Sequence, residues 1–227
     1  MLLALDSATR QAGICLFDGE SVRAEALWSS SRVYHTEWLT PAIAEAFARI
    51  NASAADLTAV AVTTGPGSFT GLRVAMSVAK GIAAARGLPI IGIPSLTATA
   101  EPWRALGLPV VAMLSAGRGR HAWQCFPTPD MAETTLPLGP TIETIQGIAA
   151  QFVDYQGPTM QVVGELTVAE RRYLVDTLGV RIHVASVAQA VRRPAVVAEL
   201  AWQRHRAEEY DDLDQLEPLY LRLNASP

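Results

Sequence analysis

The sequence predicts an α/β protein in which one pattern of elements is laid down twice. Short apolar runs alternate with stretches of helical period, in the order three strands, helix, strand, helix, strand, helix, and the order restarts near residue 110. The two halves share order and spacing rather than residues, which marks a degenerate duplication. Beyond the first three strands of each half, every strand is reached through a helix, and such crossovers imply parallel pairing.

Leu2 to Asp6 is a short apolar strand ending on an acid. Gly13 to Phe17 and Val22 to Trp28 are the next two, turned by Asp18-Gly19. Ser29 to Tyr34 is a polar connection, and His35 to Ile50 a helix with Leu39, Ile43, Ala46, Phe47 and Ile50 on one face and Glu45 and Arg49 paired outside. Pro41 stands either in its first turn, after Thr40, or at a kink. Ala59 to Thr64 is a buried strand. It ends at Gly65-Pro66-Gly67-Ser68-Phe69-Thr70-Gly71, the punctuation of a strand-to-helix turn, with Ser68 or Thr70 as N-cap. A helix from about Leu72 to Arg86 follows, then a strand from Pro89 to Ile93 and a helix capped by Ser95 that ends near Trp103.

Gly107 and Pro109 break the period, so Trp103 to Leu108 reads as the hinge between a first lobe, residues 1–104, and a second, residues 105–227. Strands of the second lobe are expected at Val110 to Leu114, His121 to Phe126, Thr134 to Leu138, Met160 to Val163 and Val180 to Val184. Helices are expected at Ile142 to Val153, Val168 to Leu178 and Val187 to Arg206, the last broken by Pro194. The acids Glu208, Glu209, Asp211, Asp212 and Asp214 read as a solvated loop, and the apolar end, Leu216 to Arg222, as packed back on the body.

With 50% hydrophobic and 18% charged residues, the 227-residue chain can bury a sizeable core. A net charge of -4 argues against nucleic-acid binding by this chain alone. Cys15 and Cys125 stand in no metal-like spacing and read as small buried residues of a reducing compartment. Neither a signal peptide nor a membrane-spanning run is visible, so a cytoplasmic protein is expected.

The helix after the glycine turn carries a narrow polar stripe of Arg73, Ser77 and Lys80, and a ridge of Gly71, Ala75, Ala79 and Ala83 with almost no side chain. Leu72, Val74, Met76, Val78 and Ile82 flank that ridge. One sheet covers one stripe of a helix. The remainder is covered either by another part of the same chain or by another subunit, whose helix the ridge would let approach closely.

The glycine turn fits no standard phosphate loop. Gly71 is followed by Leu72 and Arg73 where a Walker loop has lysine, and Thr70 replaces the third glycine of a dinucleotide fingerprint. Backbone amides at the helix start remain a candidate anion site. Pro66 occupies the first glycine of a hydrolase elbow around Ser68, and His35, His121, His183 and His205 are scattered without helical zinc spacing. Asp6, Ser7 and Thr9, an acid at a strand end before a hydroxyl-rich turn, are the candidate remnant of a nucleotide cleft; the second-lobe counterpart of Asp6 is Ser115. Arg118, Arg120 and His121, and Arg192 with Arg193, are either solvated surface or a few phosphate contacts within a larger complex.

Leu3-Ala4-Leu5-Asp6-Ser7-Ala8-Thr9, His35-Thr36-Glu37 with Leu39 and Pro41, Gly65 to Arg73, Ala79-Lys80-Gly81, Leu88 to Leu96 and Pro218 to Arg222 together resemble the TsaB (YeaZ) family. The first lobe matches almost throughout, the second mainly by length and tail. The resemblance implies a two-lobed actin-like (ASKHA) fold of duplicated ribonuclease H-like βββαβαβα units. It implies a non-catalytic partner of TsaD, with no cofactor and no metal of its own. TsaD carries the metal and transfers the threonylcarbamoyl group, making threonylcarbamoyladenosine beside the anticodon of tRNAs that read codons beginning with A. The ATPase TsaE joins the pair, tRNA is met only through the complex, and the chain alone forms a homodimer. The implied partner-binding residues are Leu39, Ile43, Phe47, Leu72, Ala75, Met76, Val78, Ala79 and Ile82 on the two first-lobe helices. Where the family has Asp-Ala-Arg-x-Gly-Glu, this chain has Ser115-Ala116-Gly117-Arg118-Gly119-Arg120. The competing readings are an ATP-dependent small-molecule kinase of the actin-like class, resting on Asp6 and the duplication, and a peptidase, for which no nucleophile–base pair is visible.

Overall fold

The computed structural model describes residues 1–29, 35–129, 131 and 136–221. Residues 30–34 of the expected polar connection lie outside the described residues, as do Thr134 and Thr135. The chain divides into two compact units. The first contains Met1–Ala98 together with Arg193–Tyr220, and the second is built on Thr99–Arg192.

In the first unit, β1 (Leu2–Asp6), β2 (Gln11–Phe17), β3 (Val22–Ser29), β4 (Ala59–Gly65) and β5 (Ile90–Pro94) form one sheet in the order β3-β2-β1-β4-β5. The β1–β2 and β2–β3 pairs are antiparallel, whereas β1–β4 and β4–β5 are parallel. Successive strand residues face opposite ways. Leu3, Leu5, Ile14, Leu16, Val60 and Val62 meet α1 (His35–Arg49) and α2 (Phe69–Arg86), while Leu2, Ala4, Cys15, Ala59, Ala61 and Ile91 meet Ala195, Val197, Ala198 and Ala201 of α6 (Pro194–Arg206). With both faces covered, these strands read as continuous apolar runs instead of alternating ones. Pro41 lies inside α1 on its exposed face, in a helix that starts at His35. Ser68 caps α2 through its hydroxyl, Gly87 stops it in the left-handed conformation at φ 62°, and α3 (Ser95–Arg104) follows β5.

The second unit repeats the connectivity. Its strands β6 (Val110–Gly117), β7 (Arg120–Phe126), β8 (Thr141–Thr144), β9 (Met160–Gly164) and β10 (Ile182–Val184) run in the order β10-β9-β6-β7-β8. Both sheets therefore read third, second, first, fourth, fifth in chain order, and the duplication is topological. α4 (Ile145–Gln151) and α5 (Val168–Leu178) cover one face, where Val111, Met113, Trp123, Cys125 and Val162 pack on Ile148, Phe152 and Leu174.

Four expectations are corrected here. The third strand of this unit is Thr141–Thr144, and the earlier stretch contains Pro137, which has no ladder donor. The helix that follows begins at Ile145 because Thr144 caps it, accepting from Gly147 N at 3.1 Å. The last helix starts at Pro194, which needs no donor in a first turn. Residues 193–220 belong with the first unit, not the second, since the small side chains of α6 fill the sheet face left open by α1 and α2. A break in hydrophobic period marks where an element ends, not which sheet it docks on.

The tail is anchored as its apolar composition suggests, with Leu213 and Leu216 on the first core. Asp211, expected in solvent, is an internal staple. Its N–H donates to Ile90 O at 3.0 Å, while its Oδ2 accepts from Gly92 N at 2.6 Å and from Arg204 at 3.1 Å. Asp211→Ala would leave the Gly92 amide without an acceptor and is expected to cost about 1–3 kcal/mol in urea unfolding, whereas Asp212→Ala should cost far less.

Candidate functional site

Asp6, Ser7 and Thr9 are all buried at the end of β1. The Asp6 Oδ1 accepts from Ala8 N at 3.0 Å and from the Thr63 hydroxyl at 2.9 Å, tying the first turn to β4. Ser7 Oγ donates to Gly71 O at 2.7 Å, across to the first turn of α2. This bonding gives Asp6 and Ser7 a structural task and does not favour a kinase built on them.

The glycine turn is occupied by the chain itself. Ser68 N–H donates to Ala8 O, Gly71 N–H to the Ser68 hydroxyl at 3.3 Å and Leu72 N–H to Ser68 O at 2.9 Å. A Cβ on Gly67 would overlap the Ala8 carbonyl, and one on Gly65, at φ 110°, would sit 2.7 Å from Leu219 O. The glycines are there because three backbone segments converge, and the Ser68 amide is spent on that convergence while the Gly71 amide is taken by the helix cap.

The small-residue ridge of α2 faces inward. Gly71, Ala75, Ala79 and Ala83 are buried, as are Leu39, Ile43, Phe47, Leu72 and Met76, all within this one chain. Of the two alternatives for covering the ridge, cover by the same chain is the one observed. A row without side chains permits close approach to any surface, and here that surface is the helix's own sheet. Val78 and Ile82 of the expected set remain half-exposed, with Val74 beside them.

What α2 leaves to solvent is a different strip. Phe69, Thr70, Arg73, Val74, Ser77 and Val78 line a shallow, largely apolar groove, continued by exposed Gly81, Ala84 and Ala85. Phe69 is 54% exposed and Trp38 on α1 is 62% exposed, high for such large apolar residues. Sequence reasoning missed Phe69, Thr70, Arg73 and Ser77. The signal was present in the polar stripe of α2, which marks the outward side of the helix and hence its apolar neighbours.

The two basic clusters are mostly paired. His121 is buried with Nε2 3.6 Å from Glu170 Oε1, and buried Arg192 lies 3.6 Å from Glu165 Oε1. Arg193 bonds Glu25. Burial pushes the Glu170 carboxyl up, but bonds from Thr167 and the nearby His121 outweigh it and leave the group below its usual range. Arg118 remains exposed at the β6–β7 turn, in the left-handed region at φ 53° between Gly117 and Gly119. Ser115 N–H donates to Glu165 at 3.3 Å.

A family model described as TsaD, tRNA N6-adenosine threonylcarbamoyltransferase, matches residues 29–226. The tRNA threonylcarbamoyladenosine biosynthesis protein TsaB of Escherichia coli (strain K12) is 30% identical over 161 residues, spanning 67% of this chain and 69% of that protein. The chain belongs to the TsaB family. The TsaB of Bacillus subtilis (strain 168) is 25% identical over 228 residues, 98% of this chain and 94% of its own. Among solved structures, YeaZ from Pseudomonas aeruginosa has a TM-score of 0.76 at 22% identity, over 97% of this chain and 99% of that one. The fold is thus the two-lobed α/β, actin-like class expected for a TsaB-family chain.

Within this TsaB-family chain, Ala75→Arg should now act on folding. It would bury an unpaired charge against the sheet and lower stability by roughly 3 kcal/mol or more in thermal or urea unfolding. Gly81→Ala, where a Cβ meets nothing within 4 Å, should raise stability by about 1 kcal/mol. Burial pushes the Cys15 thiol up to about 12 and the Cys125 thiol up to about 11, so iodoacetamide at mildly alkaline pH should modify neither until denaturant is added.

Proposed function

We propose that this chain is the non-catalytic partner and activator of TsaD in the synthesis of threonylcarbamoyladenosine on tRNA, with TsaE as the third component. Membership of the TsaB family carries the reading, through relatives named for that biosynthesis that span most of the chain. The structural support is the strip that α2 leaves open. Val74, Val78 and Ile82 beside Gly81, Ala84 and Ala85 form an apolar, low-relief surface against which a partner helix packs at short distance. Phe69 extends it as a large exposed apolar side chain, the residue type that anchors interfaces. In the absence of TsaD the same strip pairs two copies of this chain. tRNA is met through the complex, in keeping with a net charge of -4.

Size-exclusion chromatography with light scattering on mixtures with TsaD, TsaE and tRNA, read together with threonylcarbamoyladenosine formation, tests the proposal. Val78→Glu is expected to weaken association with TsaD by roughly tenfold or more and to reduce modification in step, with thermal unfolding unchanged. Full association and full modification by Val78→Glu would place the interface elsewhere, and modification that proceeds at the same rate without this chain would remove the activator role.

A further inference from the structure

The C-terminal segment reaches the same strip from the far end of the chain. Lys80 Nζ donates to Asp214 O at 3.3 Å, and Leu219 N–H donates to Thr64 O at 2.7 Å. Only a residue without a side chain at position 65 leaves room for that passage. Tyr220 is thereby delivered to the first turn of α2. Its ring lies 5.0 Å from that of Phe69, tilted by 32°, and its hydroxyl accepts from Arg73 Nε at 3.1 Å. The Arg73 guanidinium sits over the Phe69 ring, with Cζ 4.0 Å from the centroid.

The planar fork of Arg73 is therefore held by a ring beneath it and a hydroxyl at Nε, which leaves the two Nη groups at the edge of the apolar groove. No acceptor for them occurs among the described residues. A guanidinium fixed in this way matches a carboxylate through two parallel N–H bonds, and fixing it beforehand lowers the entropy lost on binding. The charge on α2 is one-sided as well: Arg73, Lys80 and Arg86 are present and no acid is. We infer that the tail completes the docking face, with Tyr220 positioning Arg73 to receive a carboxylate from an apolar-faced helix of the partner. This inference rests on the proposal that the outer strip of α2 is where TsaD binds, and it adds the chemistry of the occupant and two specificity-determining residues.

The full-length chain and TsaD, titrated by calorimetry at several salt concentrations, test it. Arg73→Gln is expected to weaken binding by roughly tenfold and to flatten the salt dependence, since an ion pair is lost. Tyr220→Phe, which removes only the hydroxyl, should weaken binding by a few-fold with unchanged thermal unfolding, and should add nothing on top of Arg73→Gln, because the tyrosine acts through the arginine. Val78→Glu is the reference arm. If Val78→Glu loses binding while Arg73→Gln and Tyr220→Phe stay within about twofold of the parent, the carboxylate and the tail's part fall and the docking strip stands. If Val78→Glu binds as the parent does, the strip itself falls and takes this inference with it. Loss confined to self-association, with TsaD binding intact, would assign the face to a second copy and overturn the assignment to TsaD.

Discussion

Crowding at the Gly65–Gly71 turn is the constraint from which the rest of the first unit follows. The Ala8 carbonyl and the Leu219 backbone converge there on Gly67 and Gly65, each close enough to exclude a side chain from the glycine beside it. The convergence fixes the end of β1, the launch of α2 and the path of the tail at once. It also determines what the turn does chemically. The Ser68 amide joins the turn to Ala8 and the Leu219 amide joins the tail to Thr64, and Asp6, which in another setting would hold a cation, accepts from Ala8 and Thr63 instead. A motif that looks like a binding loop is here a joint.

The joint sets the rotation of α2 about its axis. With Ser7 bonded to Gly71 O, the row that begins at Gly71 turns toward the sheet and lets the helix settle close to it. The remaining apolar side chains are then divided between the core and a solvent-facing strip. The same division explains why exposed Phe69 stands next to Arg73 and Tyr220, with the aromatic surface capped by a cation and a hydroxyl instead of lying bare.

The two units share strand order but use the ends of their strands differently. In the first, the strand-end acid is buried and accepts from Ala8 N and the Thr63 hydroxyl. In the second, Ser115 takes the acid's place, and ion pairs between Glu165 and Arg192 and between Glu170 and His121 hold the loops nearby. Topology survived the duplication because sheet pairing and helix cover tolerate many apolar sequences, whereas polar contacts at strand ends depend on individual residues.

Much was legible from local pattern. The strands of the first unit, the cap at Ser68, the helix end near Arg86, the doubled order of elements and the family resemblance all depend on residues near one another in the chain, where period and turn chemistry operate. The solvent-facing side of α2 was legible only in part: Val78 and Ile82 are half-exposed as a surface role requires, whereas Leu72, Ala75 and Ala79 are buried in the chain's own core, and exposed Phe69 and Arg73 were not singled out with them. Helical period shows that a helix has two apolar sides but not which one the sheet will take. The docking of α6 on the first unit, the staple at Asp211 and the meeting of Arg73 with Tyr220, 147 positions apart, have no local signature. Each is a choice among surfaces that exist only once the chain has folded, and there the close approach allowed by a missing side chain outweighs any preference written along the strand or helix itself.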